Sequence, residues 1–263
     1  MAHTIYENFV LENKLEDLLT TAVDLNSYMT IDNSLTAQPG MTKKIHKYTA
    51  TGDVEDLAMG AGNTGEITVS FTETEYEVKV TQGKFAYYDE QEMQDPMVVD
   101  MGMKGLSQQM TNDLTEKAIA EFGKATLSVT YTKGGSPSFD TIVDAIAKLN
   151  TEDESGLFLL VNPSMQAALR KALGTNLQYV EAFVRTGYIG SVCGVPITVS
   201  KAVPDKTLYL ATREAVTCFV KKGSEIEQER DADKRTNYVY GRKVMLVALT
   251  DATKVVKITE AAA

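Results

Sequence analysis

The stretch GAGNTGE, residues 60–66, has the glycine spacing of a dinucleotide-binding loop. In such a site the glycines follow a strand and lead into a helix, whose N-terminal amide groups bind the pyrophosphate. Here no apolar strand precedes the glycines, and Ile67, Val69 and Phe71 after them alternate with polar residues as in a strand. We therefore interpret this stretch as the flexible tip of a long β-hairpin, where glycines permit positive φ angles and close backbone approach.

A row of acidic residues is the second candidate for chemistry. Its members occupy alternate positions: Glu225, Glu227, Glu229, Asp231 and Asp233. In a strand all five would project from one face, where like charges repel unless cations neutralise them. Two interpretations stay open: a solvated face that forms salt bridges with a partner chain, which is favoured, or a calcium-type site.

Other catalytic and metal chemistry finds few residues. His3 and His46 are the two histidines, and Cys193 and Cys218 the two cysteines, each in an apolar run without C-x-x-C spacing. This disfavours a nucleophile with a histidine base, common zinc sites and a disulfide framework. No spacing singles out a carboxylate pair among the 36 acids. We predict no catalytic residue, no cofactor and no metal site.

The bulk properties narrow the function further. The chain has 263 residues and a formal net charge of −10, which disfavours a nucleic-acid reader that grips phosphates. No apolar run approaches the roughly 18 to 20 residues of a membrane span, so no membrane partner is expected. Acidic residues occupy the N-terminal stretch where a signal peptide would be basic and then apolar, which predicts a reducing, aqueous compartment.

The first half of the chain must position the glycine tip. A helical period in Leu11, Leu15, Leu18, Leu19, Ala22 and Val23 predicts an amphipathic arm, followed by an extended connection over 26–41. Strand alternation changes parity between Phe71 and Tyr76, which predicts a bulge or bend there. Asp95 and Pro96 then begin a helix of nearly thirty residues, with an apolar stripe of Leu106, Met110, Leu114, Ala118 and Phe122. Gly102 and Gly105 inside it indicate close packing or a bend.

The second half alternates strands and helices. The strands are LSVTYT, LFLLV, VCGVPITVS and TLYLATREAVTCFVK, and the helices FDTIVDAIAKL and NPSMQAALRKAL. Phe139, Ile142, Val143 and Ile146 are expected on one face of the first helix, with Ser136 as its N-cap before Pro137; Asn162 or Ser164 caps the second. Long β structure with a charged turn follows. The whole pattern predicts an α+β protein that includes an α/β layer with a buried sheet.

This order of elements resembles the major capsid proteins of tailed bacteriophages, the HK97-fold family. The residues that carry the resemblance lie in FLLVNPSMQAAL, GSVCGVPITVSKAVPDKTLYLA, TETEYEVKVTQGKFAYYDEQEMQDP and YVYGRKVMLVALTDATKVVKI, and together they cover about residues 40–258. The resemblance implies an N-terminal arm (1–40), an extended loop (41–88), a peripheral domain with a spine helix (89–132 and 224–263) and an axial domain (133–223). It also implies hexamers and pentamers that tile an icosahedral shell around double-stranded DNA.

The resemblance assigns contact regions as well. The extended loop, with Met59, Gly60, Gly62 and Gly65 near its tip, would lie over a neighbouring subunit. A turn with Asp231, Asp233, Arg235 and Arg242 would lie near three-fold axes, and Tyr179, Tyr188 and Lys201 near the five-fold and six-fold axes. Portal and separate scaffolding or decoration proteins would be partners, and the location would be the virion after assembly in the host cytoplasm. Because no Glu occurs between Arg230 and Thr259, the Lys–Asn cross-link of some members is not expected.

Two alternatives stay open. An encapsulin-like nanocompartment shell would share the architecture and the chain length. A small α/β enzyme that uses carboxylates would use the hairpin as a lid and would need a pocket with pKa-shifted acids.

Overall fold

The computed structural model describes Leu15 and residues 28–151, 154–177 and 190–261, with the side chains of 173–177 left aside. The predicted arm helix therefore lies outside the described residues except for Leu15, which is helical and fully buried. Among the described helices none is both long and apolar enough to cross a membrane.

The predicted hairpin is confirmed. A short strand, β1 (Thr30–Asp32), precedes β2 (Thr42–Thr51) and β3 (Thr68–Glu77). The last two pair antiparallel in one unbroken register, from Thr42 opposite Glu77 to Thr51 opposite Thr68, and form a two-stranded sheet of their own. The glycine stretch lies in the connection between them, as expected, and no helix follows it.

The predicted bend between Phe71 and Tyr76 is wrong. β3 runs straight through this segment, and the chain leaves the hairpin only at Val78, which is buried. The apolar parity changes because the hairpin carries apolar side chains on opposite faces at its two ends. Near the root, Ile45 and Tyr76 pack against the body, whereas farther out Phe71 on the other face is exposed.

The first large sheet has the strand order β1–β10–β11–β4. It contains β4 (Lys79–Tyr88), β10 (Val216–Asp231) and β11 (Thr236–Leu249) besides β1. A short helix, α1 (Asp89–Gln94), leads to the long helix α2 (Met97–Phe122), whose first free amide, that of Met97, donates to Asp95 Oδ1 at 2.9 Å. All five residues of the predicted apolar stripe on α2 are buried.

Glycines allow α2 to lie close to this sheet. Gly83 on β4 and Gly241 on β11 are cross-strand neighbours, and a Cβ atom at either would lie 2.5 or 2.6 Å from a methyl carbon of Leu106. Gly102 lies in the same way against the ring of Phe85. Of the two explanations for Gly102, close packing is therefore the one that holds.

The second large sheet has the strand order β5–β12–β9–β6–β8–β7. Its strands are β5 (Leu127–Tyr131), β6 (Leu157–Val161), β7 (Ser191–Val192), β8 (Val195–Val199), β9 (Thr207–Thr212) and β12 (Val255–Glu260), and the helices α3 (Phe139–Leu149) and α4 (Pro163–Leu177) connect them. β5 pairs parallel with β12 and β6 with β8, while β9 is antiparallel to both β12 and β6. The strands and helices expected for the second half are thus confirmed, except that two of the predicted strands are divided. VCGVPITVS contains the end of β7 and all of β8, and TLYLATREAVTCFVK contains β9 and the start of β10.

Strand β6 shows how the core is divided. All five of its residues are buried, and alternate side chains enter different clusters. Leu159 packs in the cluster that contains Ile142 of α3 and Leu169 of α4, while Phe158 packs in the one that contains Phe122 at the end of α2. Because the latter cluster also contains residues of β10 and β11, the C-terminal part of α2 joins the two large sheets.

The caps of α3 and α4 show one error and one confirmation. Ser138, not Ser136, caps α3 and accepts a hydrogen bond from the Thr141 amide at 3.3 Å. The helix therefore starts at Phe139, two residues after Pro137. Asn162 caps α4, since its Oδ1 accepts from the Ser164 amide at 3.0 Å.

The predicted apolar face of α3 is also partly wrong. Ile142 is fully buried, but Phe139 and Val143 are exposed. The residues that face the sheet are Ile142, Ala145 and Leu149, spaced three and four apart as one helix face requires. Phe139 and Val143 lie beside this face rather than on it.

Candidate subunit-contact surfaces

The loop at the hairpin tip is held by one carboxylate. Glu55 accepts hydrogen bonds from the Thr64 amide at 2.9 Å and from the Thr64 hydroxyl at 2.6 Å. These bonds, first the one from the hydroxyl, hold the pKa of Glu55 below its usual value. A Cβ atom at position 65 would lie 2.8 Å from Glu55 Oε1, so glycine there lets the carboxylate approach. The tip is thus a loop with a defined internal contact.

The predicted tip residues all lie in this loop and are exposed: Met59, Gly60, Gly62 and Gly65. Gly60 has a φ of +86°, which L side chains rarely adopt. Met59 is fully exposed, although it is the largest apolar side chain at the tip. Their contact with a neighbouring subunit stays a prediction. Sequence reasoning missed Glu55, because nothing in the spacing of Glu55 and Thr64 signals that they pair.

One face of the hairpin carries a cluster of aromatic rings. The ring centroids of His46, Tyr48 and Phe71 lie 5.6 to 6.2 Å apart, and Tyr48 is paired directly with Phe71 across the strands. Toward the root, Glu73 on the same face accepts from Lys44 at 2.5 Å, which lowers the pKa of Glu73 and raises that of Lys44. Sequence reasoning missed this cluster because it depends on the register of β2 against β3.

The acidic row lies on the face of the sheet opposite to α2. Ile226, between Glu225 and Glu227, is buried against the α2 side, so the carboxylates project the other way. Arg242 of β11, directly opposite Glu225, donates from Nε to Glu225 Oε2 at 2.7 Å and places Nη2 3.4 Å from Glu227 Oε1. The cations that the row requires are therefore supplied, in part, by the same chain.

Glu225 is the most perturbed member of the row. The hydrogen bond from Arg242, followed by that from Lys222 at 2.8 Å, lowers the pKa of Glu225 to about 2. Glu229 accepts from the Tyr240 hydroxyl at 3.1 Å. Within the described ranges, no three histidine, cysteine or acidic side chains lie together as metal ligands would. The geometry thus favours an ion-pair surface over a calcium site.

In the turn after β10, the positions of Asp231 and Asp233 differ from the predicted strand arrangement. β10 ends at Asp231, whose Oδ1 accepts from the amides of Asp233 at 3.0 Å and Lys234 at 3.3 Å. Asp233 therefore lies in the turn, and the expectation that all five acids share one strand face is wrong for it. Arg235, with a φ of +49°, places Nη1 3.6 Å from Glu90 Oε1. Intersubunit contacts of Asp231, Asp233, Arg235 and Arg242 stay predictions.

Of the predicted axis-proximal residues, Tyr179 and Tyr188 lie outside the described residues. Lys201 lies in the turn after β8, at the rim of an apolar cleft of about 460 Å³ between this turn and α2. Phe122, Leu160 and Val199 form part of its wall. Proximity of Lys201 to a symmetry axis stays a prediction.

The shifted carboxyl groups do not have the character of catalytic acids. In the described part of the chain the carboxyl groups with shifted pKa values are Glu55, Glu73, Glu225 and Glu260, and each is lowered. Each also forms a hydrogen bond or ion pair with a neighbouring group. A general acid near neutral pH needs a raised pKa, so this pattern favours structural roles.

Comparison with known proteins adds the family. A family described as phage capsid protein matches residues 72–258, well over half of the chain. The major capsid protein of Staphylococcus phage phiMR11 is 26% identical over 260 residues, which cover 95% of this chain and 92% of that protein. Among solved structures, one from Mycobacterium phage Che8 has a TM-score of 0.65 at 18% identity and covers 87% of this chain and 88% of its own. The capsid of an empty GTA particle has a TM-score of 0.73 at 11% identity over 90% of each chain.

The solved structures share the HK97-like α+β fold, and this confirms the fold that the sequence resemblance implied. At such low identity they bear on the fold alone. The family match extends from the middle of β3 into β12. It includes α2, the acidic row and both large sheets except β1 and the end of β12. On that match, the chain belongs to the phage capsid protein family.

Proposed function

We propose that this chain is a major capsid protein that assembles, as hexamers and pentamers, into an icosahedral shell around the double-stranded DNA of a tailed phage. The observation that carries the proposal is the β2–β3 hairpin. Its outer half is exposed on both faces, yet it carries Tyr48, Val69 and Phe71 there. A two-stranded hairpin is at best marginally stable alone, and exposed apolar patches mark interaction sites. A neighbouring subunit would supply the missing partner surface.

The lowered pKa values of the shifted carboxyl groups support a structural, non-enzymatic role, and the net charge of the chain fits a shell protein. A net charge of −10 would repel packaged DNA on average, so the shell would enclose the genome without binding its sequence. The proposal includes the division of the chain into an arm, an extended loop, a peripheral domain and an axial domain. So do its partners and location: other copies of the chain, a portal, a separate scaffolding or decoration protein, and the virion after assembly in the host cytoplasm.

The test is electron microscopy of the purified chain expressed alone, with its sedimentation profile. We expect closed shells, rings or tubes, with fast-sedimenting material. Co-expression with the scaffolding protein of the same phage serves as the second condition. A strictly monomeric chain at high concentration under both conditions would contradict the proposal.

A further inference from the structure

The cleft between α2 and the turn after β8 has the size and the walls of a small-molecule site. Its volume is about 460 Å³, and ligand pockets are commonly about 300–1,000 Å³, mostly apolar, with a few polar groups that orient the ligand. The apolar residues that line it include Tyr28, Met29, Ile119, Phe122, Leu160 and Val199. Most of them belong to the cluster that joins the two large sheets, so the cleft opens directly onto the core.

Aromatic rings beside the cleft already pack edge to face. Tyr28 and Phe122 both line the cleft, and each packs edge-on against Phe158, with ring centroids 5.8 and 6.0 Å apart and interplanar angles of 77° and 84°. Such ring pairs are favourable beyond the area that they bury. Met29 also lines the cleft, and methionine sulfur makes favourable contacts with rings. The walls therefore favour a ligand with an aromatic ring.

Thr111 brings an unpaired polar group to this wall. The residue is 6% exposed, and its hydroxyl has no hydrogen-bond partner among the described residues. Thr115, one turn further along the same wall, does have one, since its hydroxyl donates to the Thr111 carbonyl oxygen at 2.9 Å. A buried hydroxyl without a partner is unfavourable, and helical threonines use two χ1 rotamers, so this one can turn toward an acceptor in the cleft.

The charges at the cleft balance each other. Among the described residues that line it, Lys201 is the one cation and Glu116 the one carboxylate. An anionic ligand would gain from Lys201 and be repelled by Glu116, and a cationic ligand would meet the reverse. The lining therefore favours an uncharged ligand over an ion.

We propose that this cleft binds a small, uncharged aromatic molecule that carries one hydrogen-bonding group, of which a phenol is the simplest example. The ring packs among Tyr28, Met29 and Phe122, and the ligand oxygen accepts a hydrogen bond from the Thr111 hydroxyl. This inference goes beyond the proposed function, because the site lies within one chain and needs no second copy. A ligand that binds only the folded state stabilises it, and one in this cleft would hold the turn after β8 against α2.

Two matched probes, p-cresol and toluene, test the site, since they differ only by the hydroxyl group. Equilibrium dialysis against the purified full chain gives the Kd of each, and the Tm in the presence of each probe checks that binding stabilises the folded state. We expect saturable binding of both, with p-cresol binding about two- to tenfold more tightly. In Thr111→Val, which keeps the shape of the side chain and removes the hydroxyl, this preference should disappear.

A second set of variants locates the binding. Val199→Phe places a larger side chain in the cleft and should weaken the binding of both probes. The matched control is Val143→Phe, at a similarly exposed position (43% against 39%) that does not line the cleft, and it should bind as wild type does. Ala202→Leu, which also narrows the cleft, replaces Val199→Phe if circular dichroism shows that the latter is misfolded.

Several outcomes would overturn the proposal. One is the absence of saturable binding, or a Tm that only falls as the probe is added. Another is an equal Kd for p-cresol and toluene in wild type, or a preference for p-cresol that survives in Thr111→Val. A third is binding that neither cleft variant weakens. Because no readout depends on assembly, these outcomes leave the proposed shell function standing, and a failure of shell formation leaves the ligand site standing.

Discussion

The ring of Phe85 on β4 lies so close to Gly102 of α2 that a Cβ atom at position 102 would be 2.5 Å from its Cδ2. Gly102→Ala should therefore force the ring or the helix to move and lower the free energy of unfolding by about 1–3 kcal/mol. Denaturant titration of the unassembled subunit measures this. Gly105→Ala, one turn further on in open space, is the control and should raise stability by roughly 1 kcal/mol. Equal effects of the two changes would contradict the packing.

The pH dependence of stability should reveal the ion pair between Glu225 and Arg242. The folded-state pKa of Glu225 is lowered to about 2, whereas its value in the unfolded chain is near 4.5. The stabilisation from the ion pair is therefore fully present above the unfolded pKa and is lost as the pH falls through the folded-state pKa. Thermal unfolding followed by circular dichroism should give a Tm difference between wild type and Glu225→Gln that shrinks from about pH 5 toward about pH 2. Arg242→Gln removes the main cause of the shift and should flatten the same dependence. A Tm difference independent of pH would contradict the assignment.

The Glu55–Thr64 contact should order the hairpin tip. Glu55→Ala removes the acceptor of both Thr64 hydrogen bonds, so amide hydrogen exchange across residues 60–66 should become faster. Glu66→Ala, an exposed acid in the same loop, is the matched control and should leave exchange at Thr64 close to wild type. Unchanged exchange in Glu55→Ala would show that the loop is ordered by other contacts or not at all.

Two neighbouring residues on α3 should differ sharply in their effect on stability. Ile142 is fully buried, so Ile142→Ala should cost about 2–5 kcal/mol through lost burial and a cavity. Val143 is 43% exposed, and Val143→Ala should change stability by no more than about 0.5 kcal/mol. Denaturant titration of both variants checks the orientation of the helix. Similar losses of unfolding free energy in both variants would show that Val143 lies on the buried face of α3, as the sequence predicted.

Deletion of residues 53–65 should separate folding from assembly. The loop lies outside the core clusters, so the shortened chain should keep its circular dichroism spectrum and its cooperative unfolding. It should sediment as a small species under conditions in which wild type forms large assemblies. Normal shells formed by the deletion variant would show that the tip makes no contact that assembly requires.

Much of the fold could be predicted because its signals are local. The five consecutive apolar residues of β6, followed by Asn162 and Pro163, define a buried strand and a helix start without any long-range information. The stripe on α2 repeats often enough to fix its buried face. In such cases a residue's burial follows from its own neighbours in sequence.

The remaining features depend on pairs that are distant in sequence. Arg242 meets Glu225 only because the turn before β11 and two register shifts in β10 set the alignment of the two strands. The sequence correctly shows that the apolar residues of β3 change parity before Tyr76. The cause is not a bend, however, because one straight strand carries apolar residues on both faces. Sequence periodicity shows that the apolar residues move from one face of the strand to the other. It does not show whether the backbone bends there or the two faces pack against different surroundings.

Strand β12 lies between β5 and β9 in the second large sheet and joins segments that are far apart in the chain. During synthesis β5 leaves the ribosome long before its neighbour in the sheet exists, whereas β2 and β3 can pair soon after β3 emerges. Non-local strand pairing is slow because loop-closure entropy must be overcome first. The second large sheet can therefore be completed only after β12 has been released, whereas the β2–β3 hairpin can form much earlier in synthesis.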